Sequence, residues 1–154
     1  AVWPGRMEFF PGPPGLLLDG AHNPDGMMAL AQGLVQLFPD RKIRLVTGVL
    51  GNRPVELMAM LLTSVLGENL RRVYATTVPD PKAAPCLRIA RSFQAVEVES
   101  EAIPDPLVAL ETALSALEPG ELLVVTGSLY LVGYLRPRIL GLFTDRSGRN
   151  ADGS

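Results

Sequence analysis

The segment Asp19-Gly20-Ala21-His22-Asn23-Pro24 holds a carboxylate, the chain's single imidazole and a helix-opening Asn-Pro pair. An Asp at a strand end can accept a hydrogen bond from a ribose hydroxyl. His22 can donate to an anion or pair with Asp19. A helix starting at Asn23 and Pro24 offers free backbone N–H groups and a partial positive charge, which suit a phosphate or carboxylate. The bland alternative is that Asp19 fixes a turn and Asn23 caps a helix. The three residue types together favour a ligand site. Thr126-Gly127-Ser128-Leu129-Tyr130 follows an apolar run, and Ser128 can cap a helix, contact a ligand, or both. Gly48-Val49-Leu50-Gly51-Asn52-Arg53-Pro54 sets two glycines before a helix start but matches neither G-x-G-x-x-G nor the Walker A pattern. Arg53 reads first as a solvated surface arginine and second as an anion contact. No G-x-S-x-G elbow is present, which rejects a serine hydrolase. A Ser-His-Asp triad, whose order varies between folds, has no positive support. No certain catalytic residue emerges.

Composition narrows the classes further. The chain has 154 residues, 47% apolar and 19% charged, with a formal charge of −2. That is one globular domain with a sizeable core, and not a disordered chain. No basic patch or stripe points to nucleic acid or an anionic membrane. One Cys and one His fall short of a zinc set, so no metal ligands are expected. The single Cys86 gives no sign of an oxidising compartment, and a cytoplasmic location is expected. Cys86 and the pairs Met27, Met28 and Met58, Met60 read as packing. The longest apolar stretch, 122–135, is too short for a spanning helix, which needs roughly twenty residues. The amino terminus lacks a signal-peptide pattern and an initiator Met, and the chain reads as a piece of a longer protein.

Elements must carry these loops. Leu16-Leu17-Leu18 reads as a buried strand, with 6–10 as its antiparallel hairpin arm. Apolar spacing from Met27 to Phe38 predicts a helix capped by Asn23 and stopped at Pro39. Strands are expected over 43–49, 72–77, 95–99 and 122–126. Helices are expected over 54–66, 83–93, 106–117 (capped by Asp105) and from Ser128 to about Leu140, with Arg136, Pro137 and Arg138 disturbing the last end. Residues 144–154 read as a disordered tail. The alternation predicts an α/β fold: a Rossmann-like, mostly parallel sheet of about six strands with helices on both faces. Ligands bind at the carboxyl ends of such strands. The first and last strand tips should therefore converge on a shared anion-receiving rim.

Three segments together, Trp3-Pro4-Gly5-Arg6, Asp19-Gly20-Ala21-His22-Asn23-Pro24 and Thr126-Gly127-Ser128-Leu129-Tyr130-Leu131-Val132-Gly133, resemble the carboxyl-terminal domain of folylpolyglutamate synthase/dihydrofolate synthase, of the Mur ligase superfamily. The resemblance covers 3–140 and implies a glutamate-ligase domain over 1–143, with the amino-terminal ATPase domain absent from this chain. It implies an ATP-dependent ligase joining L-glutamate to dihydropteroate or folate through an acyl phosphate. ATP would be shared between domains, and Mg2+ bound mainly by the amino-terminal domain. By the same resemblance Arg6 and Asp19 contact ATP, while His22 and Ser128 lie on the glutamate and phosphate side. Asn23 and Arg53 are possible further contacts. The expected partners are the two substrates and the enzyme's own amino-terminal domain, in a monomer. Two departures stand out. The family's Lys-Asp pair before the second helix is replaced by Gly51-Asn52-Arg53-Pro54, which keeps the cation and drops the acid. The usual Gly-Glu-Val-Arg is Gly133-Tyr134-Leu135-Arg136, to which no site role falls. The alternatives are a non-catalytic nucleotide or amino-acid binding module, another Mur-type ligase domain, or a degenerate scaffold.

Overall fold

The computed structural model describes the backbone of residues 6–152 and side chains as far as Thr144. Of the segment Trp3-Pro4-Gly5-Arg6, only Arg6 falls within the described residues. β1 (Glu8–Phe10) and β2 (Gly15–Leu18) form an antiparallel hairpin. Then follow α1 (Pro24–Leu37), β3 (Ile43–Thr47), α2 (Val55–Leu66), a 3-10 turn (Gly67–Asn69) and β4 (Leu70–Ala75). The chain continues through α3 (Cys86–Gln94), β5 (Ser100–Ala102), α4 (Pro106–Ala116), β6 (Leu122–Thr126) and α5 (Leu129–Asp152).

The sheet order is β1-β2-β6-β3-β4-β5, and every pairing after the first hairpin is parallel. Side chains on successive strand residues point to opposite faces, so the unbroken apolar run of β6 serves two cores. Leu122 and Val124 join α1, α2 and α3 on one face. Leu123 and Val125 join α4 and α5 on the other. This is the doubly covered α/β sheet that the sequence pattern implies.

Local chemistry sets the helix starts. The Asn23 carboxamide accepts the Gly26 N–H at 2.7 Å, with Pro24 in the first turn. Asp105 caps α4 in the same way through the Leu107 N–H. Both caps satisfy amide groups that have no partner within the helix.

Several expectations need correction. The alternating residues 95–99 are not a strand: they close α3 in a turn with Glu97 at φ 65°, and the edge strand starts at Ser100. α5 does not stop near Leu140. Its backbone stays helical to Asp152, so the tail expected to be disordered from 144 is helical that far. Arg136 and Arg138 do not disturb it, because each reaches another element: Arg136 forks onto both Glu8 oxygens, and Arg138 pairs with Glu111. Among the packing residues, Met27, Met58 and Cys86 are buried, but Met60 is exposed on α2.

Candidate functional site

β6 is the last strand made, yet it lies between β2 and β3. The loops leaving the carboxyl ends of these three strands are therefore neighbours. Backbone bonds hold them together. The Asp19 N–H donates to the Val125 carbonyl at 3.0 Å, and the Gly127 N–H donates to the Ala21 carbonyl at 2.9 Å. The Thr126 hydroxyl donates to that same carbonyl. Gly127 has φ 114°, and a Cβ there would stand 2.3 Å from the Gly48 carbonyl oxygen. Only glycine lets the β6 turn lie this close to the β3 turn.

Two cavities open on this rim. The first, about 490 Å³, is lined by Arg6, Met7, Asp19, His22, Asn23 and Gly26, among others. The second, about 260 Å³, is lined by His22, Leu50, Arg53, Ser128, Leu129 and Tyr130, together with Gly127. His22 belongs to both. The single shared rim expected from the sequence is thus two adjoining chambers. Arg6 and Asp19 stand in one, Arg53 and Ser128 in the other, and the imidazole lies between.

In the first chamber the Asp19 carboxylate accepts the Met7 N–H at 3.2 Å. Met7 sits at φ 48°, a backbone region that side-chain-bearing residues disfavour. Burial pushes the Asp19 carboxyl up from its ordinary value of 3.8, against the opposing pull of the Met7 and Ala21 N–H groups and the Arg6 charge. The His22 Nδ1 lies 2.9 Å from the Gly20 carbonyl oxygen. A carbonyl only accepts, so Nδ1 carries a proton and Nε2 is the ring nitrogen left for a ligand. Asn23 is committed to its cap, which makes it a structural neighbour of the chamber as well as a lining residue.

In the second chamber Ser128 is 3% exposed, and its Oγ accepts the Tyr130 N–H at 3.0 Å, opening α5. Arg53 is not a solvated surface arginine. It is half-buried, and its Nε is enclosed without a hydrogen-bond partner. Leu50, Leu129 and Tyr130 form the chamber's apolar wall, a role that sequence reasoning did not give them. The Met7 amide was also missed, since its contact with Asp19 crosses the hairpin. No group of three or more His, Cys, Asp or Glu able to hold a metal stands together among the described residues. No described helix is long and apolar enough to cross a membrane.

A larger cavity, about 840 Å³, lies at the opposite end of the sheet, where β2 and β6 begin. Its arginine, Arg41, is already bonded to the Gly120 carbonyl. Among the described residues, Arg6, Arg53, the imidazole and the start of α1 stand together at the carboxyl ends.

An open, mostly parallel sheet with helices on both faces and these groups beside its inserted strand defines a Rossmann-like α/β domain. The family model described as Mur ligase, glutamate ligase domain matches residues 5–129, and the chain belongs to that family. It is 34% identical over 140 residues to folylpolyglutamate synthase of Lacticaseibacillus casei, covering 90% of this chain and 30% of the relative. The dihydrofolate synthase/folylpolyglutamate synthase of Bacillus subtilis is 28% identical over 141 residues, covering 90% and 31%. Among solved structures, folylpolyglutamate synthase of Mycobacterium tuberculosis complexed with ADP and AMPPCP superposes with a TM-score of 0.78 at 28% identity, covering 88% of this chain and 32% of that one. The chain thus spans less than a third of each of these proteins.

Proposed function

We propose that this chain is the carboxyl-terminal, glutamate-ligase portion of an ATP-dependent ligase that joins L-glutamate to dihydropteroate or a folate. The observation that carries this reading is the convergence of Arg6, Asp19, His22, Arg53 and Ser128 on two chambers that share one imidazole. The names of the relatives supply the substrate class, and the ADP complex of one relative supplies the nucleotide.

In this reading the first chamber takes the ATP side. The Arg6 guanidinium binds phosphate oxygens, with a fork geometry that suits them. Asp19 accepts from a sugar hydroxyl, and the start of α1 adds its positive end. The second chamber takes the incoming glutamate. Ser128 and Arg53 hold its polar groups, and Leu50 and Tyr130 exclude water. The amine attacks the substrate's acyl phosphate carbon, a C–N bond forms, the C–O bond to phosphorus breaks, and phosphate leaves. His22, between the chambers, orients both reacting ends through Nε2. Most of the gain in such a reaction comes from positioning and from charge stabilisation in a dry site.

In this reading magnesium is bound mainly by the amino-terminal domain together with the nucleotide phosphates. Closure of this domain over an amino-terminal nucleotide domain would complete the site. The enzyme would act in the cytoplasm as a monomer, over 1–143 of this chain, without nucleic-acid or membrane partners.

The test measures folate-dependent ATP hydrolysis and glutamate incorporation. The chain alone should show neither. Joined to an amino-terminal nucleotide domain of the family it should show both, and Arg6→Ala and Asp19→Ala should weaken ATP binding there. A folded full-length protein without glutamate ligation sinks the reading, and unaltered ATP affinity in both variants favours a scaffold.

A further inference from the structure

The β3–α2 loop carries Arg53 into the second chamber, and a residue outside the chamber holds that loop. The Arg88 side chain, on α3, donates through Nη1 to the Gly51 carbonyl at 3.1 Å and through Nη2 to the Arg53 carbonyl at 3.4 Å. Its Nε and Nη2 also bind the two Glu56 carboxylate oxygens, each at 3.2 Å. The stretch before α3 adds backbone ties: the Gly51 N–H donates to Lys82 and the Ala84 N–H to Val49. Glu56 occupies the only carboxylate partner that Arg88 has among the described ion pairs, and Arg53 has none. One arginine is saturated and fixes the loop. The other is held by its own backbone with Nε enclosed and unpartnered. An enclosed N–H left unbonded is costly.

We propose that Arg88 is a positioning residue that presents Arg53 to a carboxylate or phosphate lying against Ser128. The proposal rests on the glutamate-side reading of that chamber and deepens it. Pro54 follows Arg53 where the resembling family carries an acid, so no neighbouring carboxylate in the loop competes for the guanidinium.

The experiment titrates the 15N-labelled chain with L-glutamate and, separately, with inorganic phosphate. It follows the Ser128 and Tyr130 amides and the Arg53 Nε–H resonance. These signals should move with at least one probe. A response to glutamate alone marks a carboxylate subsite, and a response to phosphate alone marks a phosphate subsite. Arg53→Met should weaken binding about tenfold or more, as expected for a lost charge-assisted bond, and Arg53→Lys less. Arg88→Lys keeps the charge beside Glu56 but not the fork, and should weaken binding about fivefold. Glu56→Gln leaves the two carbonyl contacts in place and should change affinity by less than about twofold. In the assembled ligase, Arg88→Lys should raise the glutamate KM while leaving kcat nearly unchanged.

Wild-type affinity in Arg88→Lys overturns the positioning role, as does an equal loss in Glu56→Gln, which would mark a merely structural clamp. Wild-type affinity in Arg53→Met, or unmoved signals in the wild type with both probes, overturns the anion assignment. Binding by the chain together with no glutamate ligation by the folded full-length enzyme would sink the ligase reading alone, because the titration does not depend on turnover.

Discussion

At the residue scale, Asp19 is a carboxylate held where burial disfavours its charge. Its folded pKa lies above the unfolded value, so the folded state binds the extra proton between the two. Stability from this group is fully present below the unfolded value, near 3.8, and is lost as pH rises through the raised folded value. Asp19→Asn removes the charge and keeps an acceptor for the Met7 N–H. The variant should therefore melt above the wild type at neutral pH, with the gain closing as pH falls, while ATP binding in the assembled enzyme weakens. Thermal melts from pH 7 to 3 check this, and a variant less stable at neutral pH would count against the burial argument. The candidate residues legible in the sequence were those whose signature is local: Asp19, His22, Asn23 and Ser128 each sit at a strand–helix junction that composition marks. Arg88 was not legible. Its partners at Gly51 and Arg53 lie 37 and 35 positions away, and only the packing of α3 beside α2 brings them together. Arg53 was underrated for a similar reason, since its enclosure depends on β6 lying beside β3.

At the element scale, the turn from β6 into α5 is the most constrained joint of the site. Its glycine sits at φ 114° with the Gly48 carbonyl in the place of a side chain, and the next residue caps the helix. Gly127→Ala should cost about 3 kcal/mol or more, because strain at a glycine-only conformation adds to a backbone clash. Urea denaturation would show it as a lower midpoint at unchanged slope, and a loss under about 1 kcal/mol would mean that the two turns can part. The junctions were readable because caps, prolines and glycines announce them. The β5 strand was misplaced because Val96 and Val98 alternate with polar residues as a strand's would. Both valines instead pack on the core from a turn, and the Val98 N–H returns to the Phe93 carbonyl at the end of α3. α5 was underestimated because Pro137 reads locally as a stop. The Glu8 and Glu111 partners that hold Arg136 and Arg138 lie on β1 and α4, out of reach of any local pattern.

At the scale of the whole molecule, the sheet has two poles with opposite electrostatic logic. The carboxyl-terminal pole keeps the Arg53 Nε without a hydrogen-bond partner and Asp19 partly desolvated. At the amino-terminal pole the charged groups bond mostly to one another, although the Glu121 Oε2 is left without a hydrogen-bond partner. There Glu121, 5% exposed before β6, accepts the Glu118 N–H at 2.7 Å and the Arg44 Nε at 2.8 Å, while Arg44 also donates to the Tyr74 hydroxyl. Burial pushes the Glu121 carboxyl up, but the Glu118 N–H and the Arg44 and Arg71 cations outweigh it and hold it below its ordinary 4.5. Its stabilising contribution is present above the unfolded value and is lost as pH falls through the depressed folded one. Glu121→Gln should therefore cost about 2 kcal/mol at neutral pH, the scale of a charged hydrogen bond. That deficit should shrink as pH falls below the ordinary 4.5 and close once pH has passed the depressed folded value. The Asp19→Asn difference closes over the acid range too, with the opposite sign, so a double variant should show the two effects adding, since the sites lie at opposite ends of the sheet and share no partner. Melting the wild type, both single variants and the double from pH 7 to 3 measures this directly. A Glu121→Gln deficit that stays constant to pH 3 would show that the carboxylate's charge contributes nothing and that packing alone anchors β6. Strong non-additivity would mean that β6, which runs from one pole to the other, couples them, and that a ligand closing on Arg53 and Ser128 would be felt at the far end of the sheet.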